Sequence, residues 1–291
     1  MRPEYTALVA VVDPGSRGAA EALICLRSAA AWRRLCAAAV HEGVAGHAWF
    51  EMRRRRMGAL IPHLPAARLR DAYEAALHTN TWRLRELRAI THALQDQGVN
   101  ALPLDRGALF LHGAYPDRGV FQLDRLTIAV PAAARDVAVA VLMAAGHRLL
   151  HQSAAALEAT SARATPIRFE FFAEPPAPDQ ALTWTASRLA AARTAARLAD
   201  TVDRCYLERL DPALAMGEPA FADPRGLARA VAMRAPAPYW FGQLAELFFP
   251  PADEMLRRHG AHAAGWGLYR LYAVRLLRMR AALPGKRTDA S

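Results

Sequence analysis

LPLDRGALFLHGAYPDRGVFQLDRLTIAVP, residues 102–131, holds two kinds of spacing in one stretch. A short strand is expected over 99–104, then a helical or turn segment over 107–114. PDRG, residues 116–119, turns the chain. From Leu123 the residues alternate: Leu126, Ile128 and Val130 point one way, and Arg125, Thr127 and Ala129 the other. That is the pattern of a strand with one face on a core. Pro131 ends the strand and helps start a helix over 132–145 that stops at Gly146.

Working outward, a further strand fits residues 167–172. Ile167, Phe169 and Phe171 share one face, and Arg168, Glu170 and Phe172 the other, before EPPAPD ends the element. Upstream, residues 17–50 read as helical, with Ser28 placed to cap a helix beginning near Ala30. Pro62 and Pro65 break that pattern. A long helix over 66–97 follows, with an apolar stripe of Leu69, Tyr73, Ala76, Leu77, Leu84, Leu87, Ile90 and Leu94. Asn80 interrupts the stripe, and Gly98 supplies the stop. Beyond Leu182, helices are expected over 187–210, 224–234, 239–249, 252–259 and 268–283.

The chain has 291 residues and 53% apolar content, enough for one large domain or two modest ones with a real core. Its formal charge of +10 would ordinarily suggest an anionic partner. However, Lys286 is the sole lysine among 37 basic residues and alanine abounds, so the charge reflects a compositional bias. Nucleic acid is not an expected partner. Cys25, Cys36 and Cys205 lack metal-type spacing and read as small buried residues in a reducing compartment. The apolar run before Asp13 is too short for a signal-peptide core or a membrane span. No stretch reads as transmembrane, and a cytoplasmic location is expected.

The residues of this central stretch, together with ALICLR, WRRLCAAAVHEG, the long helix, QGVNALPLDRGALFLHGAYPDRG and, more weakly, LFFPPADEMLRRHG, resemble a known family. It is the uncharacterised nucleotidyltransferase-like family of bacteria, a divergent branch of the polymerase-beta-like superfamily whose members often accompany specialised biosynthetic gene clusters. The resemblance implies an α+β fold: a small mixed sheet of nucleotidyltransferase type, over 98–178, between a helical region at 1–97 and another at 179–291. It also implies an active Mg²⁺-dependent enzyme that moves a nucleoside monophosphate from a nucleotide triphosphate to an acceptor.

This sequence departs from the pattern where the chemistry would lie. Arg106–Gly107 stands in the place of the family's lysine-glycine pair, and Tyr115–Pro116 matches its tyrosine-proline turn. Phe121 stands where an arginine is typical. The family's aspartate-x-aspartate pair falls on Arg125 and Thr127, and its third carboxylate near Glu170. Residues two apart on a strand point the same way, so two carboxylates there can converge on a divalent cation. Arginine has no lone pair to give and repels the ion. Asp124 is the available replacement, through a one-residue slip or a bulge, and would act with Glu170 as the catalytic carboxylates. Without that rescue no cofactor is expected. An ion pair between Arg125 and Glu170 across adjacent strands is the simpler expectation.

The expected function is thus a nucleotidyltransferase-fold protein with a degenerate metal site, a pseudoenzyme that binds nucleotide or another protein. Arg106, Gly107, Arg125 and Thr127 are the candidate nucleotide- or phosphate-binding residues, and the helical flanks the candidate protein-binding surface. Arg106 beside a helix start can meet a phosphate, or pair with Asp105, Asp117 or a helix residue. No GxxxxGK[ST] loop occurs. His112 lies near the expected cleft without a nucleophile partner. His147 and His151 would face each other only if the preceding helix continued. No histidine set, His41 with His47 or His259 with His262 included, makes a zinc site. Arg53 to Arg56 read as a solvated face. Arg270, Arg275 and Arg278 suit a broad basic helix surface, and read first as a solvated face. Tyr239, Trp240, Phe241, Phe248 and Phe249 read mainly as core.

Overall fold

The structure is a computed structural model that describes residues 2–174, 177, 180–191, 197–214 and 221–234. The helices expected over 239–249, 252–259 and 268–283 lie outside the described residues, with their arginines, aromatics and histidines. Residues Met1–Arg234 form one compact unit.

The first helices are α1 (Pro3–Val12), α2 (Ala19–Ile24), α3 (Ala29–His41), α4 (Ala45–Arg54) and α5 (His63–Asp96). The apolar run before Asp13 is a core helix: Leu8, Val11 and Val12 are fully buried where α1 packs on α2, α3, α4 and α10 (Pro224–Arg234). Ser28 caps α3 as its position predicts, its Oγ accepting the Ala31 N–H at 3.1 Å. Pro65 does not break α5, because it sits in the first turn, where a missing N–H costs no helical bond. Asn80 does not interrupt the helix either.

Next come β1 (Leu102–Pro103), α6 (Asp105–Leu111), β2 (Leu126–Pro131) and α7 (Arg135–Ala144). They are followed by β3 (Arg148–Gln152), β4 (Ala156–Thr160) and β5 (Pro166–Phe172). The strands form one sheet in the order β1-β2-β5-β4-β3, with β2 and β5 parallel and every other pair antiparallel. Together with its flanking helices this is a mixed α/β arrangement of nucleotidyltransferase type. β3 and β4 have no counterpart among the expected strands, since RLLHQ and ALEAT are too short and too polar for a clear alternation. His151 therefore lies exposed on a strand and does not continue a helix with His147.

One face of the sheet buries Leu126, Ile128, Val130, Ile167 and Phe169 against Leu84, Leu87, Ile90 and Leu94 of α5 and Ala138 and Leu142 of α7. Burying one such side chain is worth about 2 kcal/mol. On the other face Ala129 packs with Leu102, Leu104 and Ala181, the last from α8 (Ala181–Ala191). The helix expected over 187–210 is two described elements, α8 and α9 (Leu198–Leu210).

Two sequence expectations about polar groups change. Arg55 is half-buried rather than part of a solvated face. It bonds Glu51 at 2.9 Å and donates to the carbonyls of Ala10, Asp13 and Ser16, closing the C-terminal end of α1. Cys36 is buried as expected, but Cys25 is exposed. No described helix is long and apolar enough to cross a membrane.

Candidate active-site cavity

A cavity of about 270 Å³ opens between the start of α6, the chain entering β2, α8 and α9. Arg106, Asp124, Arg125 and Thr127 all line it, so four of the six residues singled out from sequence meet there. Glu170 and Gly107 do not. Gly107 is a packing residue: a Cβ there would lie 3.1 Å from Leu87 Cδ2 of α5. His112 ends α6 on the exposed side and takes no part.

The loop that leads into the cavity is held from behind by Asn80. Its Nδ2 donates to the carbonyls of Arg118 at 2.6 Å and Phe121 at 2.5 Å, and its Oδ1 accepts the Leu123 N–H at 2.9 Å. Arg83 donates to the Leu123 carbonyl. The polar break in the α5 stripe is thus a clamp on irregular backbone that has no strand partner. Phe121 stacks on His47 at 5.5 Å and touches Tyr115 at 5.1 Å, so this position supplies core, with no charge of its own.

Strand β2 begins at Leu126. Arg125 and Asp124 lie in the exposed segment before it, and Thr127 is its first buried cavity residue. Asp124 therefore does not enter the ladder through a bulge. In the β2–β5 register Thr127 stands opposite Arg168 and Ala129 opposite Glu170. The expected Arg125–Glu170 ion pair does not form. Glu170 instead accepts from Arg188 at 2.6 Å and from Arg168 at 3.1 Å. Arg168 also reaches Glu158 at 3.0 Å, and Arg188 reaches Asp105 at 2.9 Å. Acids and bases alternate from β4 through β5 to α8 and α6. Burial alone raises the Glu170 carboxyl, but the bonds and charges of Arg188 and Arg168 outweigh it and hold the group below the usual range. Asp105 points into this chain from a left-handed backbone conformation, with φ 54°. Such a conformation costs a non-glycine residue about 1 kcal/mol.

Arg106 has a partner that sequence reasoning did not name. Its Nε lies 2.8 Å from Asp203 Oδ2 of α9, and Tyr115 donates its hydroxyl to Asp203 Oδ1 at 2.8 Å. The guanidinium sits over Phe121 at 5.1 Å. Burial raises the Asp203 carboxyl, opposed by Arg106 and Tyr115, and burial with the Asp203 charge raises the Tyr115 phenol well above its ordinary value. A signal for Asp203 does exist in the sequence. It falls among Leu198, Ala199, Val202, Tyr206 and Leu207 on the apolar face of α9, where a carboxylate needs a partner.

Three further cavity residues also escaped: Thr185 and Arg188 of α8, and Asp200 of α9. Asp200 accepts the Arg197 N–H at 2.8 Å. Among the described residues, Arg125 and Asp124 make no ion pair. No group of three or more His, Cys, Asp or Glu side chains there could hold a metal ion.

A five-stranded mixed sheet flanked by helices, with a polar cavity at the start of β2, is consistent with a nucleotidyltransferase-type fold. The chain belongs to the uncharacterised nucleotidyltransferase family, whose model matches residues 28–173. The match runs from the cap of α3 to the end of β5, so α8 and α9, which supply Thr185, Arg188 and Asp203, lie beyond it. No curated protein and no solved structure matches the chain.

Proposed function

We propose that the protein is a cytoplasmic nucleotide-binding module on a nucleotidyltransferase frame, without Mg²⁺-assisted transfer. The observation that carries this reading is the state of Glu170: both carboxylate oxygens accept from arginines, at 2.6 Å and 3.1 Å, and the residue does not line the cavity. A carboxylate so held has little left to offer a cation. The other positions of the family's metal site carry Arg125, which repels a cation, and Thr127, a weak neutral ligand. Of the cavity's other carboxylates, Asp105 is held by Arg188, Asp203 by Arg106 and Asp200 by the Arg197 N–H. Asp124, exposed beside Arg125, thus has no free carboxylate beside it with which to make a Mg²⁺ site. The donor set does not fit the ion. Arg125 remains available to a phosphate at the cavity mouth.

Calorimetric titration of the full chain with ATP, GTP, CTP and UTP, with and without Mg²⁺, tests this. The expected result is binding that ignores Mg²⁺, survives Asp124→Ala and Glu170→Gln, and weakens in Arg125→Ala, with no pyrophosphate released. Mg²⁺-dependent turnover abolished by Asp124→Ala or Glu170→Ala would establish the active transferase instead. Absence of nucleotide binding under every condition would leave the helical flanks, as a surface for a protein partner, to carry the function.

A further inference from the structure

Away from the cavity, α5 holds a large aromatic ring in contact with solvent. Trp82 is 40% exposed. Guanidinium groups lie over its indole, that of Arg163 at 3.9 Å from the ring centroid and that of Arg85 at 5.1 Å. Both arginines are exposed. Arg85 stands one turn further along the same helix, where side chains so spaced meet. Arg163 arrives from the turn between β4 and β5, and its backbone is fixed there. The Ser161 Oγ accepts the N–H groups of Arg163 at 3.3 Å and Thr165 at 3.2 Å, and the Ala164 N–H bonds the Ser161 carbonyl at 2.9 Å. The cluster is thus assembled before any partner arrives, with little side-chain freedom left to lose.

Neither guanidinium is spent on the protein itself. Among the described residues Arg85 and Arg163 make no ion pair and no side-chain hydrogen bond. The acids that neighbour them are engaged elsewhere. Glu86, next to Arg85 in the chain, turns its carboxylate to His147, 3.8 Å away. Glu158, on the strand before the Arg163 turn, is bonded to Arg168 at 3.0 Å. The cavity arginines differ, since Arg106 and Arg188 each hold a carboxylate of the protein's own. A guanidinium stacked on an indole keeps its N–H edge free for an outside acceptor. Tryptophan and arginine are also the residues that most often carry the binding energy of protein contacts.

We propose that Trp82, Arg85 and Arg163 form a docking surface for an acidic peptide segment of a partner protein. Carboxylates of that segment bond the N–H edges of the guanidinium groups, and an apolar side chain between them covers the open edge of the indole. Charge complementarity selects this occupant. The indole already carries guanidinium groups, so a nucleobase can stack on it only by displacing them. A nucleic-acid backbone needs a longer track of cations, and Arg83 adds none here, since it donates to the Leu123 carbonyl. None of Trp82, Arg85 and Arg163 lines the cavity, so the surface goes beyond the nucleotide-binding reading and does not depend on it.

The test is a selection of short random peptides displayed on phage against the full chain. Fluorescence anisotropy of the selected peptides, made synthetically with a label, then measures binding. The selected set should be rich in aspartate and glutamate beside a leucine or aromatic residue, and its binding should weaken as salt is raised. Arg85→Gln and Arg163→Gln should each weaken it about tenfold, and Trp82→Ala by more, with melting temperatures held near that of the wild type. Arg17→Gln removes an equal charge from the exposed segment between α1 and α2 and should change nothing. A selected set without acidic residues overturns the inference. So does binding that Arg17→Gln weakens as much as Arg163→Gln, which would be attraction by the net charge of +10 alone. Tighter binding of a labelled single-stranded oligothymidylate, lost in the same variants, assigns the surface to nucleic acid instead. A dimer in sedimentation that Trp82→Ala disperses assigns it to a second copy of the chain. Nucleotide affinity should be the same in Trp82→Ala as in the wild type. A fall would make the cluster part of the nucleotide site and overturn the inference while that reading stands.

Discussion

Arg106 and Asp203 stand 97 residues apart in the chain and 2.8 Å apart in space, with the Tyr115 hydroxyl on the second oxygen of the same carboxylate. Removing Asp203 takes from the largely buried Arg106 guanidinium and from the Tyr115 hydroxyl the carboxylate that both bond. Asp203→Ala is expected to lower the unfolding free energy by about 3–5 kcal/mol. Adding Arg106→Ala to it should cost little more, because the stranded charge is then gone. Urea denaturation of the two single variants and the double variant measures this coupling; additive losses would contradict it.

Glu170 is held from two sides, and its carboxylate is partly shielded rather than sealed. Glu170→Gln keeps the shape and one acceptor, so the expected loss is about 1–2 kcal/mol. The distinguishing readout is chemical: the Mg²⁺ response of nucleotide binding should be the same in Glu170→Gln as in the wild type.

Asn80→Ala removes three bonds to the backbone of Arg118, Phe121 and Leu123 at once. The expected loss is about 3 kcal/mol. Asn80→Asp keeps the acceptor for the Leu123 N–H but sets a charge against two carbonyls, and it should be no better tolerated. A chemical-denaturation midpoint unchanged in Asn80→Ala would refute the clamp.

Gly46 of α4 lies so close to the loop before β2 that a Cβ on it would sit 2.2 Å from the Gly119 carbonyl oxygen. Gly119 is equally confined, with the Tyr73 ring 2.5 Å from any added Cβ. Gly46→Ala is therefore expected to cost about 3 kcal/mol or more, since backbone on both sides must move. A thermal melt of the purified variant gives the answer.

His47 is wholly buried, and burial pulls its pKa down to about 4, against the opposing pull of the Val12 carbonyl and Glu51 and with Arg55 and Arg54 adding to the fall. The folded chain keeps the ring neutral while the unfolded chain protonates it near 6.5. The unfolded state thus binds the extra proton between those values. Stability from this group is full above pH 6.5 and falls as pH drops towards 4. The loss across that window should reach about 3 kcal/mol. Denaturation from pH 7 to pH 4 should show it, and His47→Gln should flatten the slope.

How much of this was legible beforehand depends on whether the physics was local. The alternation at Leu126, Ile128 and Val130 and at Ile167, Phe169 and Phe171 gave the two central strands, because one-sided burial writes a period of two into the residues. Ser28, Gly98 and Gly146 marked helix ends for equally local reasons. The strands β3 and β4 left no such trace, since β3 is largely exposed and β4 is short. Within the site, Arg106 was found through its place at a helix start, and Asp124, Arg125 and Thr127 through their place at the start of β2. The distant partners, Asp203 for Arg106 and Arg188 for Glu170, were not, because they come from helices that reach the site only after the chain has folded back. Asn80 was visible as an anomaly, but its meaning required the loop that it binds.

The parallel pairing of β2 with β5 has a consequence for how the protein acquires its cavity. β3, β4 and β5 can join by neighbouring hairpins, whereas β2 meets β5 only across residues 132–165, which must first close as α7 and the meander. Long-range closure of this kind is slow compared with helix formation. The cavity, with Thr127 on one strand and its helical walls arriving from α8 and α9, is therefore expected to be among the last features to assemble. Collapsed forms can keep nearly all of the helical signal without it. Ligand binding, rather than helix content, is the measure by which a correctly finished molecule can be told from an unfinished one.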